Sequence, residues 1–342
     1  MESTRAIQLN KGFQLETTTL AIPPRQSDEL LVKILSVGLN PVDYKFKNGA
    51  IPINLPCVLG HECVGEVVDA DDERLKGRKI MAYLPGPHTQ SSGALTNLIV
   101  VPKNFVAFVP DDAPLDYAAY PLCGLTAQRC FGRISQGKVR NVFVAGVTGG
   151  VGWLFVQFCR QSGMDVYTHV RTAASREKIE AYFGRDVHCL QSVDVPSLEA
   201  IQQAFGRKRF DACADFVGGQ SKALCMELCD FHAQFVTIVE EGSSDMKIDL
   251  LDARNSPAFQ KSLTVHFEFL GAQAYFGAKE DHQCYARELE ELAKLVQSKT
   301  LHYPNIKSIE QLNTTSVESG LQQLESRSDP SVNKIIVLCN FD

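Results

Sequence analysis

The chain has 342 residues, of which 44% are apolar and 22% are charged, and its formal net charge is −6. This length exceeds that of a typical single domain, so two globular domains are expected. The negative balance, without any block of like charge, argues against a nucleic-acid partner or an anionic membrane surface. No apolar stretch is long enough to span a bilayer. Residues 1–9 contain no apolar run typical of a secretory signal, and the eleven cysteines are scattered singly, so reduced thiols and a cytoplasmic location are expected.

In the first third of the chain, strand signals alternate with turn signals. Three β-rich runs lie at 30–34, 63–68 and 105–109, and prolines from Pro41 to Pro102 interrupt the sequence between them. This pattern predicts a β-rich domain with irregular connections.

From about Asp116 onward, predicted strands and helices alternate. Helices are predicted at 117–133, 151–161, 176–182 and 221–229, and strands at 142–145, 166–170, 211–216 and 234–239. Alternation at this spacing indicates a parallel sheet with crossover helices. The last part of the chain contains a predicted helix at 285–297 and a terminal strand at 334–338. The predicted fold class is therefore α/β, with a β-rich domain interrupted by a doubly wound parallel-sheet domain.

A glycine cluster follows the predicted strand at 142–145 and precedes the helix at 151–161. In this context Gly149 lets the backbone approach a pyrophosphate, and Gly152 permits close packing of helix against strand. Val147 stands where the first glycine of the G-x-G-x-x-G fingerprint would be, so the fingerprint is incomplete. The pattern favours a dinucleotide site over the alternative, a glycine-rich turn that only joins a strand to a helix.

The end of the next predicted strand indicates which dinucleotide is bound. An NAD site places Asp or Glu there for the ribose 2′-hydroxyl, but Asp165 comes too early and Glu177 falls within the following helix. Hydroxyl and cationic side chains gather there instead, namely Arg171, Ser175, Arg176 and Lys178. Arginine offers a planar fork suited to phosphate. NADP(H) is therefore favoured over NAD(H); the alternative is a solvated loop with ordinary surface cations.

Six short motifs follow one another along the chain: GLNPVD at 38–43, LGHECVGEV at 59–67, PLCGLTA at 121–127, VFVAGVTGGVG at 142–152, DACADFVGG at 211–219 and KIIVL at 334–338. Together they resemble the medium-chain dehydrogenase/reductase superfamily, and within it the zinc-independent quinone oxidoreductase (zeta-crystallin-like) branch. The resemblance covers essentially the whole chain. It implies a GroES-like catalytic domain, residues 1–121 and 264–342, and a Rossmann dinucleotide-binding domain, residues 122–263.

The resemblance also implies which residues form the site. It places Asn40, Asp43 and Tyr44 in an interdomain cleft facing the nicotinamide, although Asp43 is also typical of a capping residue and Tyr44 of a packing residue. The implied cofactor contacts are Thr126, Thr148, Gly149, Gly150, Val151, Gly152, Arg171, Ser175, Arg176, Val217 and Gly218. The segment from Val265 to Leu270 alternates, which fits either a strand that pairs with its copy in a homodimer or an internal strand.

A catalytic zinc needs three protein ligands, and the resemblance shows where they would fall. Zinc-dependent relatives have a cysteine at the position of Asn40 and another at that of Leu122, with Cys123 one place away. His61 is the one ligand that is kept, so it is expected to be a hydrogen-bonded structural residue, and no metal is expected. No cysteine lies between Tyr83 and Val101, where a structural zinc lobe would lie.

Without a metal, reduction of an activated acceptor is the expected chemistry. A quinone, conjugated enone or alkenal accepts hydride readily, so the protein needs mainly to position NADPH and to supply donors to the acceptor oxygen. The sequence thus predicts an NADPH-dependent, zinc-independent reductase of small quinones or enones. The alternatives are an enoyl-thioester reductase, an NADPH-binding structural or regulatory protein without significant turnover, and a residual zinc alcohol dehydrogenase.

Overall fold

The structure is a computed structural model that describes residues 3–86, 93–240, 250 and 252–340. Two compact units are found. Unit 1 comprises Met1–Leu125 and Leu270–Asp342, and unit 2 comprises Thr126–Phe269.

The regular elements follow one another along the chain in a mixed order. The strands are β1 (Ser3–Leu9), β2 (Leu15–Ala21), β3 (Glu29–Leu39), β4 (Cys57–Val58), β5 (Glu62–Asp69), β6 (Lys79–Tyr83), β7 (Leu98–Pro102), β8 (Val106–Phe108), β9 (Asn141–Ala145), β10 (Asp165–Val170), β11 (Val187–Gln191), β12 (Phe210–Asp215), β13 (Cys229–Thr237), β14 (Thr264–Phe267), β15 (Ile306–Ile309) and β16 (Lys334–Leu338). The helices are α1 (Pro41–Lys47), α2 (Pro121–Ile134), α3 (Gly150–Gln161), α4 (Ala173–Phe183), α5 (Leu198–Phe205), α6 (Gln220–Leu228), α7 (Pro257–Gln260), α8 (Ala272–Phe276), α9 (Gln283–Gln297) and α10 (Thr314–Ser326).

Unit 1 is built on a seven-stranded sheet around the long strand β3. Its order is β15-β16-β3-β5-β6-β8, with β7 also paired to β3. Pairing is antiparallel except between β15 and β16. Val32, Ile34 and Val37 are buried on β3, where they contribute to the apolar core of this unit. A smaller sheet, β2-β1-β4, completes the β-rich unit.

Unit 2 is a doubly wound parallel sheet. Its six strands are all parallel and have the order β11-β10-β9-β12-β13-β14. Phe143 and Val144 of the central strand β9 are fully buried, as is Trp153 of α3, because helices cover both faces of such a sheet. The direction of the chain across the sheet reverses between β9 and β12, the switch point at which ligands bind in this fold. The predicted fold class is confirmed for both units.

Several elements differ from the sequence-based expectation. The predicted helix at 117–133 is a 3₁₀ turn at Leu115–Ala119 followed by α2, because Pro121 starts a new helix. The expected boundary at 263/264 would separate β14 from unit 2, whereas the structure pairs β14 with β13 and divides the chain after Phe269. The alternating segment at 265–270 is thus an edge strand of the parallel sheet in its first part.

Candidate functional site

The glycine turn of unit 2 joins the central strand β9 to helix α3. Gly146 takes a positive φ of 88° immediately after the strand, and Gly149 is the N-cap residue of α3. A Cβ on Gly152 would lie 2.2 Å from the carbonyl oxygen of Gly146, so only glycine lets the helix approach the strand this closely. The sharp turn that the fingerprint assigns to its first glycine is therefore made by Gly146, one residue before Val147, and sequence reasoning did not single it out.

This turn has the features that a pyrophosphate needs. A Cβ on Gly149 would meet the Gly146 carbonyl oxygen at 3.4 Å and no other described atom within 4 Å, so the missing side chain leaves space in front of the helix. The first N–H groups of a helix lack intrahelical acceptors, and its N-terminus carries partial positive charge. The predicted segment from Thr148 to Gly152 is therefore brought to a helix N-terminus at the switch point of the sheet.

A second part of the site lies where β10 ends. Arg171 is exposed and directly follows the strand. Thr172 caps α4 by accepting a hydrogen bond from the backbone of Ser175, which is buried. Arg176 is half-exposed and donates to Glu180 at 2.7 Å. The structure thus keeps Arg171 available at the surface, whereas the side chain of Arg176 already has a carboxylate partner.

The turn after β12 is held by a buried carboxylate. Asp215 accepts hydrogen bonds from the backbone N–H groups of Val217 at 3.1 Å and Gly218 at 2.9 Å, and from the hydroxyl of Thr237 at 2.9 Å. Gly218 has a positive φ of 85°. The two predicted cofactor residues therefore lie at the carboxyl edge of the sheet, with their N–H groups bound within the turn. Thr126, the remaining predicted contact, is buried on α2.

In unit 1, Asp43 organises the first of two linked polar groups. Its carboxylate accepts from the backbone of Asn40 at 2.8 Å and of Gly60 at 3.1 Å, and it lies 2.9 Å from Nδ1 of His61. The imidazole stacks on Phe46 with ring centroids 5.7 Å apart. Asp43 is therefore the third residue of a capping box at the start of α1, whose N-cap residue is Asn40. The same carboxylate orients His61, which the sequence analysis expected to be a hydrogen-bonded structural residue.

The remaining ring nitrogen of His61 is enclosed. The side chain is buried, and Nε2 has no hydrogen-bond partner among the residues that the structure describes. A Cβ on Gly86 would lie 2.4 Å from this nitrogen. Gly86 therefore lets the backbone pass directly over the imidazole.

The second polar group centres on Glu62. Its Oε1 accepts from Asn40 Nδ2 at 2.6 Å and lies 2.5 Å from the Lys334 ammonium, while Oε2 accepts from the backbone of Leu122 at 2.7 Å. Lys334 also donates to Asn40 Oδ1 and lies 3.4 Å from Cys123 Sγ. We call Asn40, Glu62, Cys123 and Lys334 the lysine cluster. All four side chains are buried.

The three predicted catalytic residues therefore have different surroundings. Asn40 and Asp43 are fully buried and bound within these polar groups. Tyr44 is half-buried, and burial raises the pKa of its hydroxyl. The nearby charge of Arg327 lowers this pKa and that of Glu325 raises it, and the net shift is upward. Glu62 and Lys334 stood in the quoted motifs, but sequence reasoning assigned them no role. Lysine in a terminal strand that is otherwise Ile-Ile-Val-Leu was the signal for a buried ion pair.

A zinc ion does not fit this donor set. Among the residues described, no group of three or more His, Cys, Asp or Glu side chains is placed to hold a metal. Asn40 offers a neutral amide, and the Glu62 carboxylate is paired with an ammonium.

Comparison with known protein families gives a match in the first third of the chain. The alcohol dehydrogenase GroES-like domain matches residues 26–111. The predicted resemblance to the medium-chain dehydrogenase/reductase superfamily is confirmed by this match and by the fold of both units.

The chain is also similar to curated proteins that are named as reductases. It is 29% identical to a chloroplastic quinone-oxidoreductase homolog of Spinacia oleracea over 57% of this chain and 61% of that protein. It is 27% identical to a trans-enoyl reductase of Aspergillus terreus over 56% of this chain and 55% of that protein. The chain thus spans less than two thirds of the length of these relatives.

Solved structures agree with the fold over nearly the whole chain. The quinone oxidoreductase of Pseudomonas syringae has a TM-score of 0.78 at 20% identity, covering 98% of this chain and 99% of that one. A mycobacterial protein complexed with NADPH has a TM-score of 0.76 at 22% identity, with coverage of 98% and 99%. None of the helices described in the present structure is long and apolar enough to cross a membrane.

Proposed function

We propose that the protein is an NADPH-dependent oxidoreductase that reduces a small quinone, conjugated enone or alkenal by hydride transfer without zinc. The observation that carries this proposal is the glycine turn at the switch point of the parallel sheet, followed one strand later by Arg171 instead of an acid. Similarity to proteins named quinone oxidoreductases supports the acceptor class. The cytoplasmic location remains a prediction.

The residues that would hold the cofactor have separate tasks. Thr148, Gly149, Gly150, Val151 and Gly152 present the N-terminus of α3 to the pyrophosphate. NADPH, when bound, supplies the hydride.

Discrimination for the adenosine 2′-phosphate is assigned to the surface at the end of β10. Arg171 offers a planar, permanently charged donor group to the phosphate. Arg176 is proposed to contact the phosphate with a guanidinium that it shares with Glu180. Ser175 is proposed as a further contact, although its side chain is buried at the start of α4. Val217, Gly218 and Thr126 remain proposed contacts to the other half of the cofactor.

On the acceptor side, Tyr44 is the proposed proton donor, and Asn40 and Asp43 are positioning residues. The Tyr44 phenol is protonated at neutral pH, since its ordinary pKa of about 10 already lies above neutral and burial raises it further. A proton is therefore available for the oxygen or carbon that receives charge. Asn40 and Asp43 have their polar atoms engaged by Glu62, Lys334, His61 and the backbone, which suits them to hold the fold around the site.

The test is NADPH oxidation by the purified protein against quinones, conjugated alkenals and enoyl thioesters. Turnover of quinones or alkenals without loss on chelator treatment supports the proposal. Turnover of enoyl thioesters alone would select the second candidate, an enoyl-thioester reductase, which the similarity to a trans-enoyl reductase favours. NADPH binding without turnover of any acceptor would indicate a structural or regulatory protein.

We also propose that the protein is a homodimer formed through β14. This strand pairs with β13 on one side and ends the sheet order on the other. Phe267, its last residue, is 66% exposed, and Phe269, two residues later, is 52% exposed. A second copy would extend the sheet and cover these rings, which removes an exposed edge. Phe267→Lys should lower the mass measured by light scattering to that of one chain, while Phe231→Lys, at another exposed ring of unit 2, should not. An unchanged mass for both variants would contradict pairing at β14.

A further inference from the structure

The lysine cluster gathers donor atoms around one point. A carboxylate oxygen of Glu62, the amide oxygen of Asn40 and the sulfur of Cys123 all contact the ammonium of Lys334, at 2.5 Å for Glu62 and 3.4 Å for Cys123. They come from β5, from the residue before α1 and from α2, while Lys334 comes from the last strand. Lys334 is 2% exposed. The arrangement is that of a small coordination shell whose centre is an ammonium nitrogen.

Charge explains why the shell needs a cation. Glu62 is fully buried, and an isolated buried carboxylate is strongly destabilising unless it is paired. The Lys334 ammonium lies 2.5 Å from the Glu62 carboxylate and also donates to the Asn40 amide oxygen, so the buried carboxylate has a cationic partner. The ammonium therefore supplies the positive charge that this set of donors requires.

The shell is also closely built. A Cβ at Gly38 would lie 2.6 Å from Glu62 Oε1 and 2.3 Å from the carbonyl oxygen of Ala118, so the backbone of β3 presses against the carboxylate. Glu62 is held further by Asn40 Nδ2 and by the backbone of Leu122. These bonds do not involve the lysine, so they remain to orient the carboxylate when the ammonium is removed.

We propose that the lysine cluster is a cation-binding site that the chain fills with its own Lys334, and that removing this side chain opens it to a thiophilic divalent metal. The fit with zinc fails in the natural chain because a covalently attached cation already occupies the shell. In a Lys334→Ala variant the oxygen donors stay in place, and Cys123 binds the incoming metal as a thiolate, releasing its proton to solvent. The inference does not depend on the proposed acceptor or cofactor.

The experiment is a titration with Cd²⁺ of the purified 342-residue chain and its variants, without cofactor. Lys334→Ala should bind one Cd²⁺ per chain more than the natural protein, with a new ultraviolet thiolate-to-metal absorption band and a higher unfolding temperature. In Lys334→Ala/Cys123→Ser the band should vanish and the affinity should fall by about 10- to 100-fold or more. The matched control is Lys222→Ala, which removes another buried lysine, one that donates to the carbonyl of Val239. It should gain no such site.

Folding of the variant is part of the test. If Lys334→Ala is unfolded in metal-free buffer, the proposal requires that Cd²⁺ restore its folding and that the charge-neutral pair Lys334→Met/Glu62→Gln fold without metal. A folded Lys334→Ala that binds no more Cd²⁺ than the natural chain would overturn the proposal. So would extra binding that survives loss of Cys123, an equal gain in Lys222→Ala, or an unfolded variant that Cd²⁺ does not rescue.

Discussion

Replacing Arg171 with alanine tests the cofactor assignment most directly. A hydrogen bond to a charged group contributes about 1.5–3 kcal/mol, and the exposure of Arg171 favours the lower end because solvent screens the phosphate. A loss of about 1.5–2 kcal/mol corresponds to a roughly 10- to 30-fold lower kcat/KM with NADPH. NADH lacks the 2′-phosphate, so its kcat/KM should change by about twofold or less.

The assay is steady-state oxidation of both coenzymes with one accepted quinone, at low and at high salt. The NADPH preference of the natural protein should shrink as ionic strength rises, and Arg171→Ala should remove most of that dependence. Arg185→Ala is the matched control, because Arg185 is an exposed arginine beyond the C-terminal end of α4, whereas Arg171 precedes its N-terminal end. Its loss should affect both coenzymes little. Equal losses for NADPH and NADH in Arg171→Ala would refute the phosphate role.

Three further predictions concern the turn, proton donation and pH. Gly152→Ala places a Cβ 2.2 Å from the Gly146 carbonyl, so coenzyme binding measured by fluorescence titration should be lost or fall by more than about tenfold, and chain stability should fall by about 1–3 kcal/mol. Gly132→Ala, whose Cβ meets no atom within 4 Å inside α2, should instead stabilise the chain by about 0.5–1 kcal/mol. Tyr44→Phe should lower kcat about 10²- to 10⁴-fold with little change in NADPH affinity if its hydroxyl is the proton donor. Burial lowers the pKa of His169 below its ordinary value of about 6.5, so stability that is present above that pH should decline as the pH falls through the lowered pKa, and His169→Gln should weaken this decline in urea titrations.

Each of these outcomes has a clear opposite. Unaltered coenzyme binding in Gly152→Ala would mean that the turn does not receive the pyrophosphate. A Tyr44→Phe variant with full kcat would show that its phenol only packs, as the sequence analysis also considered. An identical pH dependence of the unfolding free energy in His169→Gln would leave the acid sensitivity to other groups, such as His266, whose pKa burial also lowers.

Most elements of the parallel-sheet unit could be predicted from the sequence because their signals are local, although β11 and α5 were missed. A strand or helix of a βαβ unit is indicated by the apolar pattern of its own residues, and the glycines that a tight turn needs are close together in the chain. Helix α3 was predicted within one residue of its start. In unit 1, strand β16 was predicted at its observed bounds, 334–338. The identity of the glycine making the turn, Gly146, depended on a φ angle that the pattern alone does not carry.

The chemistry of the buried polar groups could not be predicted from the sequence, because it depends on contacts between distant segments. Lys334 and Asn40 contact each other across 294 positions of sequence, and no spacing rule predicts a pair that is created by the register of β16 on β3. Two buried carboxylates were likewise not predictable from spacing. Asp43 contacts His61, and Asp215 accepts from the backbone of Gly218, because the fold brings these partners together. A residue type indicates what a side chain is able to do; its partners, which decide its charge and its role, come from the packing of distant segments.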